Sequence, residues 1–167
     1  MRVLQIMASK AKGGAEIYAC DVMIALHRRG VDQCVVMHED APRFAELQRC
    51  GLRVASYPLR MPFAFAQRYL IRRLAERERP TVIQTWMRRA ASLAPPGVAP
   101  VVGWFGGYYD PRRFQKCDWL VGVTRELTAH MAKHGYPSER TRYIPTFPAL
   151  EPLPAADRAT LNTPPDA

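Results

Sequence analysis

The sequence predicts one α/β domain built on a doubly wound, mostly parallel, Rossmann-like sheet. Three observations carry that expectation. Short apolar runs alternate with amphipathic stretches from the first residues to Ile144. The opening run, Val3–Met7, has the character of a strand buried on both faces. Glycine or proline stands at many of the joints. Such alternation implies right-handed crossovers, with helices covering both faces of the sheet.

Val3–Met7 forms the first strand, followed by the loop Lys10-Ala11-Lys12-Gly13-Gly14. Ala15–Arg29 sets Ile17, Cys20, Met23, Ile24 and His27 at helical spacing, and Gly30 sits where a left-handed C-cap is wanted. Gln33–Met37 is a second strand and Arg53–Ser56 a third. Between them Pro42–Cys50 is a short helix that begins on proline and stops before Gly51. Phe63–Arg79 reads as a long basic helix ended by Pro80. Val82–Thr85 and Val101–Trp104 are strands separated by the turn Ala94-Pro95-Pro96-Gly97. Trp119–Val123 follows, then a helix capped by Thr124 and running to about His134, and Thr141–Ile144 is the last strand. Residues 145–167 hold six prolines in 23 positions and no apolar periodicity. The domain is therefore placed at residues 1–148 and a proline-rich linker at 149–167, leading towards a further domain.

Composition narrows the function classes. With 167 residues, 48% hydrophobic and 23% charged, the chain can bury a self-sufficient core. No window offers 18 consecutive apolar residues, and Met1–Met7 lacks the long apolar region and cleavage site of a secretory signal. Cys20, Cys34, Cys50 and Cys117 lie far apart without a C-x-x-C pair, which fits reduced thiols in a cytoplasmic protein and suggests neither a metal site nor a disulfide framework. The net charge of +9 comes from 20 Arg and 4 Lys against 15 acids. Eight of the arginines fall within residues 60–89, where the acids are Glu76 and Glu78. That asymmetry favours a phosphate-bearing ligand or an anionic surface.

In an open α/β sheet, ligands bind outside the carboxyl ends of the strands, which selects a few loops. After the first strand, Lys10, Lys12, Gly13, Gly14 and Glu16 combine close backbone approach with a helix N-terminus suited to phosphate or carboxylate. A glycine turn with no ligand is the alternative. The dinucleotide spacing G-x-G-x-x-G is missing, so Glu39 and Asp40 do not make a nicotinamide site. After the fourth strand, Trp86 with Arg88 and Arg89 could stack on a sugar and hold a phosphate, or could be a capping aromatic beside a solvated basic turn. After the fifth, Gly106 and Gly107 precede Tyr108 and Tyr109, which supply hydroxyls. Asp110, just before Pro111, has the position of an N-cap more than that of an acid–base group. No nucleophile–histidine pair can be assembled. His27, His130 and His134 fall on helix bodies, leaving His38 as the histidine on the ligand side.

Taken in order, these loops resemble the N-terminal domain of family 4 glycosyltransferases, retaining enzymes of the GT-B fold. Val3–Met7 with Gly13-Gly14-Ala15-Glu16 looks like the family's first strand and G-G-A-E loop. Val82-Ile83-Gln84-Thr85-Trp86-Met87 is similar to its fourth-strand segment, and Cys117-Asp118-Trp119-Leu120-Val121-Gly122-Val123-Thr124 to its sixth. Gly135-Tyr136-Pro137 leading to Ile144-Pro145-Thr146-Phe147 is similar to the closing turns.

The resemblance spans about residues 1–148 and implies a division of labour. This domain would receive a glycan or lipid-linked acceptor, and an absent C-terminal domain would bind most of a nucleotide-sugar donor, with no metal or other cofactor. Gly13, Gly14 and Arg125 would lie towards the donor phosphates and the cleft. Lys10, Lys12, Glu16, Trp86, Arg88, Tyr108 and Tyr109 would be the acceptor-side set. Relatives of this pattern act in lipopolysaccharide or surface polysaccharide synthesis. The family's fifth-strand histidine is replaced here near Gly106, so the catalytic residue is left unassigned, and the isolated domain is expected to be inactive.

Arg68, Arg72, Arg73 and Arg77, interleaved with aromatic residues, suit peripheral contact with an anionic membrane on the inner face. A solvated outer helix face is the alternative. A non-catalytic domain of the same fold remains open as a second reading. Nucleic-acid binding has only charge to support it, because no recognised motif accompanies the arginines.

Overall fold

A computed structural model describes residues 1–56 and 64–147. The linker expected from residue 149 and the helix start expected at Phe63 lie outside them. Strands β1 (Arg2–Met7), β2 (Asp32–Met37), β3 (Arg53–Ser56), β4 (Val82–Trp86), β5 (Val101–Phe105), β6 (Trp119–Gly122) and β7 (Thr141–Tyr143) form one seven-stranded sheet in the order β3-β2-β1-β4-β5-β6-β7. Every pairing is parallel. The helices are α1 (Gly14–Arg28), α2 (Phe44–Arg49), α3 (Ala64–Glu78), α4 (Met87–Leu93) and α5 (Arg125–Lys133).

Successive side chains of a strand point to opposite faces, so each strand feeds two cores. Leu4 and Ile6 join Val36, Ile83, Phe105 and Leu120 in a core with α3, α4 and α5. Met7 joins Val35, Met37, Trp86 and Trp104 in a second core with α1 and α2. Burying each such side chain contributes about 1.5–3 kcal/mol, which explains why nearly continuous apolar strands are affordable only when both faces are covered. Gln5, 1% exposed, faces the α1 side and is accommodated by hydrogen bonds rather than by solvent.

Local chemistry sets the element ends. Gly30 and Gly51 take φ values of +77° and +88°, the left-handed conformation that stops α1 and α2. Thr124 caps α5 by accepting the Leu127 N–H, and Asp110 caps a 3-10 turn, Pro111–Phe114, by accepting the Arg112 N–H. The short second helix begins at Phe44, two residues after the Pro42 start expected for it.

The clearest departure is α4, which occupies residues expected to form a loop. Its seven residues are held by burial of Ala90, Ala91 and Leu93 rather than by any periodic signal. Strand β4 runs directly into it through Met87, a non-glycine residue at φ +65°.

Candidate functional site

The strand order reverses its direction of growth between β1 and β4, so their carboxyl ends flank the crevice of the fold. On the β1 side, the loop from Ala8 to Gly13 is tied to its neighbours. The Ser9 hydroxyl donates to Glu16, and Ser9 Oγ accepts the Ala11 N–H at 3.2 Å. Lys10 Nζ donates to Asp40 Oδ2 at 2.7 Å, bridging the loops after β1 and β2. The Asp40 N–H in turn donates to Nδ1 of buried His38 at 3.0 Å. Hence His38 is a structural acceptor rather than an exposed acid–base group.

Gly13 stands at the N-cap of α1 with no side chain capping the first turn, so N–H groups there remain available. Glu16 bends back over it: a Cβ on Gly13 would lie 2.8 Å from Glu16 Oε2. Gly14 meets nothing within 4 Å.

Between the ends of β1 and β2 lies a cavity of about 310 Å³. Met7, Cys20, Met37 and Ala41 form its buried wall. Exposed Ala11, Lys12 and Ile17 stand at its mouth. Arg43 closes one side, with Nη1 on Asp21 Oδ1 at 2.5 Å and on the Ile17 carbonyl at 3.0 Å, and Nε and Nη2 on the Glu46 carboxylate at 2.5 and 2.6 Å. That clasp holds the Glu46 carboxyl below the usual range and pushes the guanidinium up. Burial pushes the Cys20 thiol up to about 11. Neither the cavity nor Arg43 was legible as part of a site, although a Pro-Arg pair in the loop that follows β2 is a signal that could have pointed to it.

Trp86 does not reach the crevice as a stacking platform. It is 4% exposed, its indole N–H donates to Gln5 Oε1 at 2.9 Å, and its ring lies 5.9 Å from Trp104 and 6.1 Å from Tyr18. The sugar-stacking role expected for it is therefore corrected to a core role: a parallel sheet with helices on both faces encloses the strand's last side chain. Arg88 follows on α4 and is exposed.

At the end of β5, a Cβ on Gly106 would lie 2.1 Å from the Trp104 ring, so the indole fills the space a side chain at 106 would need. Tyr109 packs on Phe105 and Phe114 at 5.6 and 6.2 Å, whereas Tyr108 is 70% exposed. An open cavity of about 530 Å³ lies beside them, bounded also by Asp110, Arg112, His130 and His134. His130 Nε2 is 2.9 Å from the Tyr109 carbonyl, and its ring meets Tyr108 edge-on at 5.2 Å. Arg112 pairs with Asp110 and keeps its carboxyl below the usual range, so Asp110 is an ionised cap.

Arg125 opens α5, with its guanidinium 5.0 Å from the Tyr143 ring. The structure thus separates the expected residues into three places: Lys10, Lys12 and Glu16 beside β1, Tyr108 and Tyr109 beside β5, and Arg125 beside β7. Among the described residues, no cluster of three or more His, Cys, Asp or Glu side chains is placed to hold a metal ion. No described helix is long and apolar enough to cross a membrane.

The model of the family described as Glycosyltransferase Family 4 matches residues 12–150. The lipopolysaccharide core biosynthesis glycosyltransferase LpsE of Rhizobium meliloti (strain 1021) is 28% identical over 166 residues, covering 93% of this chain and 46% of the relative. LpsD of the same organism is 25% identical over 170 residues, covering 100% of this chain and 49% of the relative. The chain thus spans about half the length of the curated relatives it matches. Anabaena Alr3699/HepE, solved in complex with UDP and glucose, superposes with a TM-score of 0.67 at 15% identity, over 87% of this chain and 44% of that one. At that identity the likeness is one of fold.

Proposed function

The chain belongs to glycosyltransferase family 4, and from that premise we propose that it is the acceptor-binding half of an enzyme that transfers a sugar from a nucleotide sugar to a glycan or lipid-linked acceptor. The process is lipopolysaccharide or another surface polysaccharide synthesis, as the names of the relatives suggest. The observation that carries the reading is the family match over 12–150, which takes in Lys12, Gly13 and Gly14 at the start of α1 and the loops at the open ends of β4, β5 and β6. Transfer is retaining, and the donor is bound mainly by a C-terminal domain beyond a linker at residues 149–167. The isolated half is inactive, and no metal takes part.

In this reading the N–H groups at Gly13 and Gly14 face the donor diphosphate and offset charge on the leaving group. Arg125 lines the cleft. The acceptor meets Lys10, Lys12 and Glu16 on one side, with Arg88 and Tyr108 across the crevice. A cytoplasmic protein resting on the inner membrane face fits α3, where Phe65 and Tyr69 are 71% and 61% exposed beside Arg68, Arg72, Arg73 and Arg77. Their charge is partly offset, since Arg72 and Arg73 share Glu76 and Arg77 meets Glu78.

A second reading, a non-catalytic binding domain, is favoured by Gly106, which brings no imidazole to the β5 loop. The deciding experiment is to express the gene to its stop codon and assay nucleotide release from a panel of nucleotide sugars with lipopolysaccharide-core acceptors. Acceptor-dependent release supports the enzyme. A gene ending at Ala167, or a longer product that neither transfers nor hydrolyses any donor, overturns it in favour of the binding domain. Sedimentation with vesicles tests the membrane contact: pelleting should rise with anionic lipid, and indifference to lipid charge would refute it.

A further inference from the structure

The cavity between β1 and β2 has a polarity that the sugar part of an acceptor does not explain. Its buried wall is made of Met7, Cys20, Met37 and Ala41, side chains with no strong hydrogen-bonding group to offer a sugar. Most polar groups around it have partners, although the Glu16 carboxylate, which also lines it, is held by a hydroxyl and pairs with no cation in the ion pairs of the described residues. Ser9 donates to Glu16, and Arg43 is committed to Asp21, Glu46 and the Ile17 carbonyl. Lys12 is different: it stands exposed at the mouth, and its ammonium makes no hydrogen bond or ion pair among the described residues. A ligand entering here therefore meets an apolar chamber with the free Lys12 ammonium at its entrance, and the Glu16 carboxylate bent back towards Gly13.

From this arrangement we infer that the cavity binds an apolar arm carrying an anionic group, with the arm among Met7, Cys20 and Met37 and a phosphate or carboxylate on Lys12. The volume of about 310 Å³ is at the low end of the roughly 300–1,000 Å³ typical of small-molecule sites, so it admits one short arm rather than a whole lipid. A free hexose would strand its hydroxyls against thioether and alkyl groups, which is costly without partners. The inference rests on the acceptor-side reading only for the molecule that bears the arm: in that reading it is the lipid portion of the acceptor. The binding chemistry stands without it.

The test uses the 167-residue chain without any sugar donor. Calorimetric titration with hexyl, octyl and decyl phosphates, each below its micelle concentration, should show affinity rising about fourfold per added methylene until the cavity fills, and then levelling off. Lys12→Gln should weaken the alkyl phosphates about two- to fivefold while leaving the matching alkanols unchanged. Ala11→Trp, at an exposed position on the mouth, should abolish binding while its circular dichroism and melting stay those of the parent.

A parallel series of alkyl carboxylates separates the sources. Preference for phosphate assigns the arm to a phosphorylated lipid, and preference for carboxylate to a fatty acid. Affinity independent of chain length, inorganic phosphate competing as well as octyl phosphate, or full binding by a folded Ala11→Trp variant would overturn the inference. Those results would leave the glycosyltransferase reading untouched. A full-length protein that transfers no sugar would do the reverse.

Discussion

The Trp86 indole N–H donates to the Gln5 side-chain oxygen at 2.9 Å, joining β4 to β1 at the point where the sheet changes direction. The bond is one link in a buried chain. Gln5 Nε2 donates to Gln33 Oε1 at 2.9 Å, and Gln33 Nε2 donates to the Met23 carbonyl at 2.9 Å. Three strands and α1 are thereby registered to each other through the core.

Because every polar group in that chain depends on its neighbour, removing the central amide strands two partners. Gln5→Leu should cost about 2–4 kcal/mol, despite being an apolar replacement at a 1% exposed site. Urea denaturation followed by tryptophan fluorescence measures it. A loss below about 0.5 kcal/mol would mean the chain is ornamental.

Met87 holds φ at +65° where β4 passes into α4. A left-handed non-glycine residue costs about 1–2 kcal/mol. Met87→Gly should therefore be more stable than Met87→Ala by about 1 kcal/mol, the reverse of the usual order in helices. Thermal melts of the two variants decide it.

Gly106 and Trp104 compete for one volume. Gly106→Ala alone should cost about 1–3 kcal/mol, because its Cβ would enter the indole ring. In a Trp104→Leu background the same change should cost close to nothing. A double-mutant cycle that comes out additive would contradict the shared-volume account.

Burial pushes the Cys20 and Cys34 thiols up to about 11 and Cys117 to about 12. The folded state favours the neutral thiol, so this contribution to stability is full below the ordinary thiol value and is lost as pH rises through 11 to 12. Urea midpoints should fall across that alkaline window, and Cys117→Ala should flatten part of the fall. With a disulfide reagent at pH 8, half-buried Cys50 should react first and the other three only on unfolding.

The fold was largely legible because its signals are local and repeated: apolar runs make strands, and Gly30, Gly51, Asp110 and Thr124 mark ends by their own chemistry. Where the outcome depended on distant partners, sequence reading went astray. Trp86 looks like a ligand platform until Gln5, 81 residues away, is seen to hold its N–H. Helix α4 looks like a basic turn because Arg88 and Arg89 dominate its composition, while Ala90, Ala91 and Leu93 decide its state by burial. The cavity by β1 is assembled from two segments of chain, Met7–Cys20 and Met37–Arg43, so no single motif announces it.

The central strand also sets a schedule for synthesis. β1 is made before β4, yet one of its edges stays unpaired until β4 arrives, and 79 residues separate Arg2 from its partner Thr81. At ribosomal rates of about 5–20 residues per second, that edge waits roughly 4–16 s. A strand apolar on both faces, with an open ladder, is a template for a neighbouring nascent chain. The switch point beside the crevice is therefore also the seam that, among the described strands, closes over the longest stretch of chain.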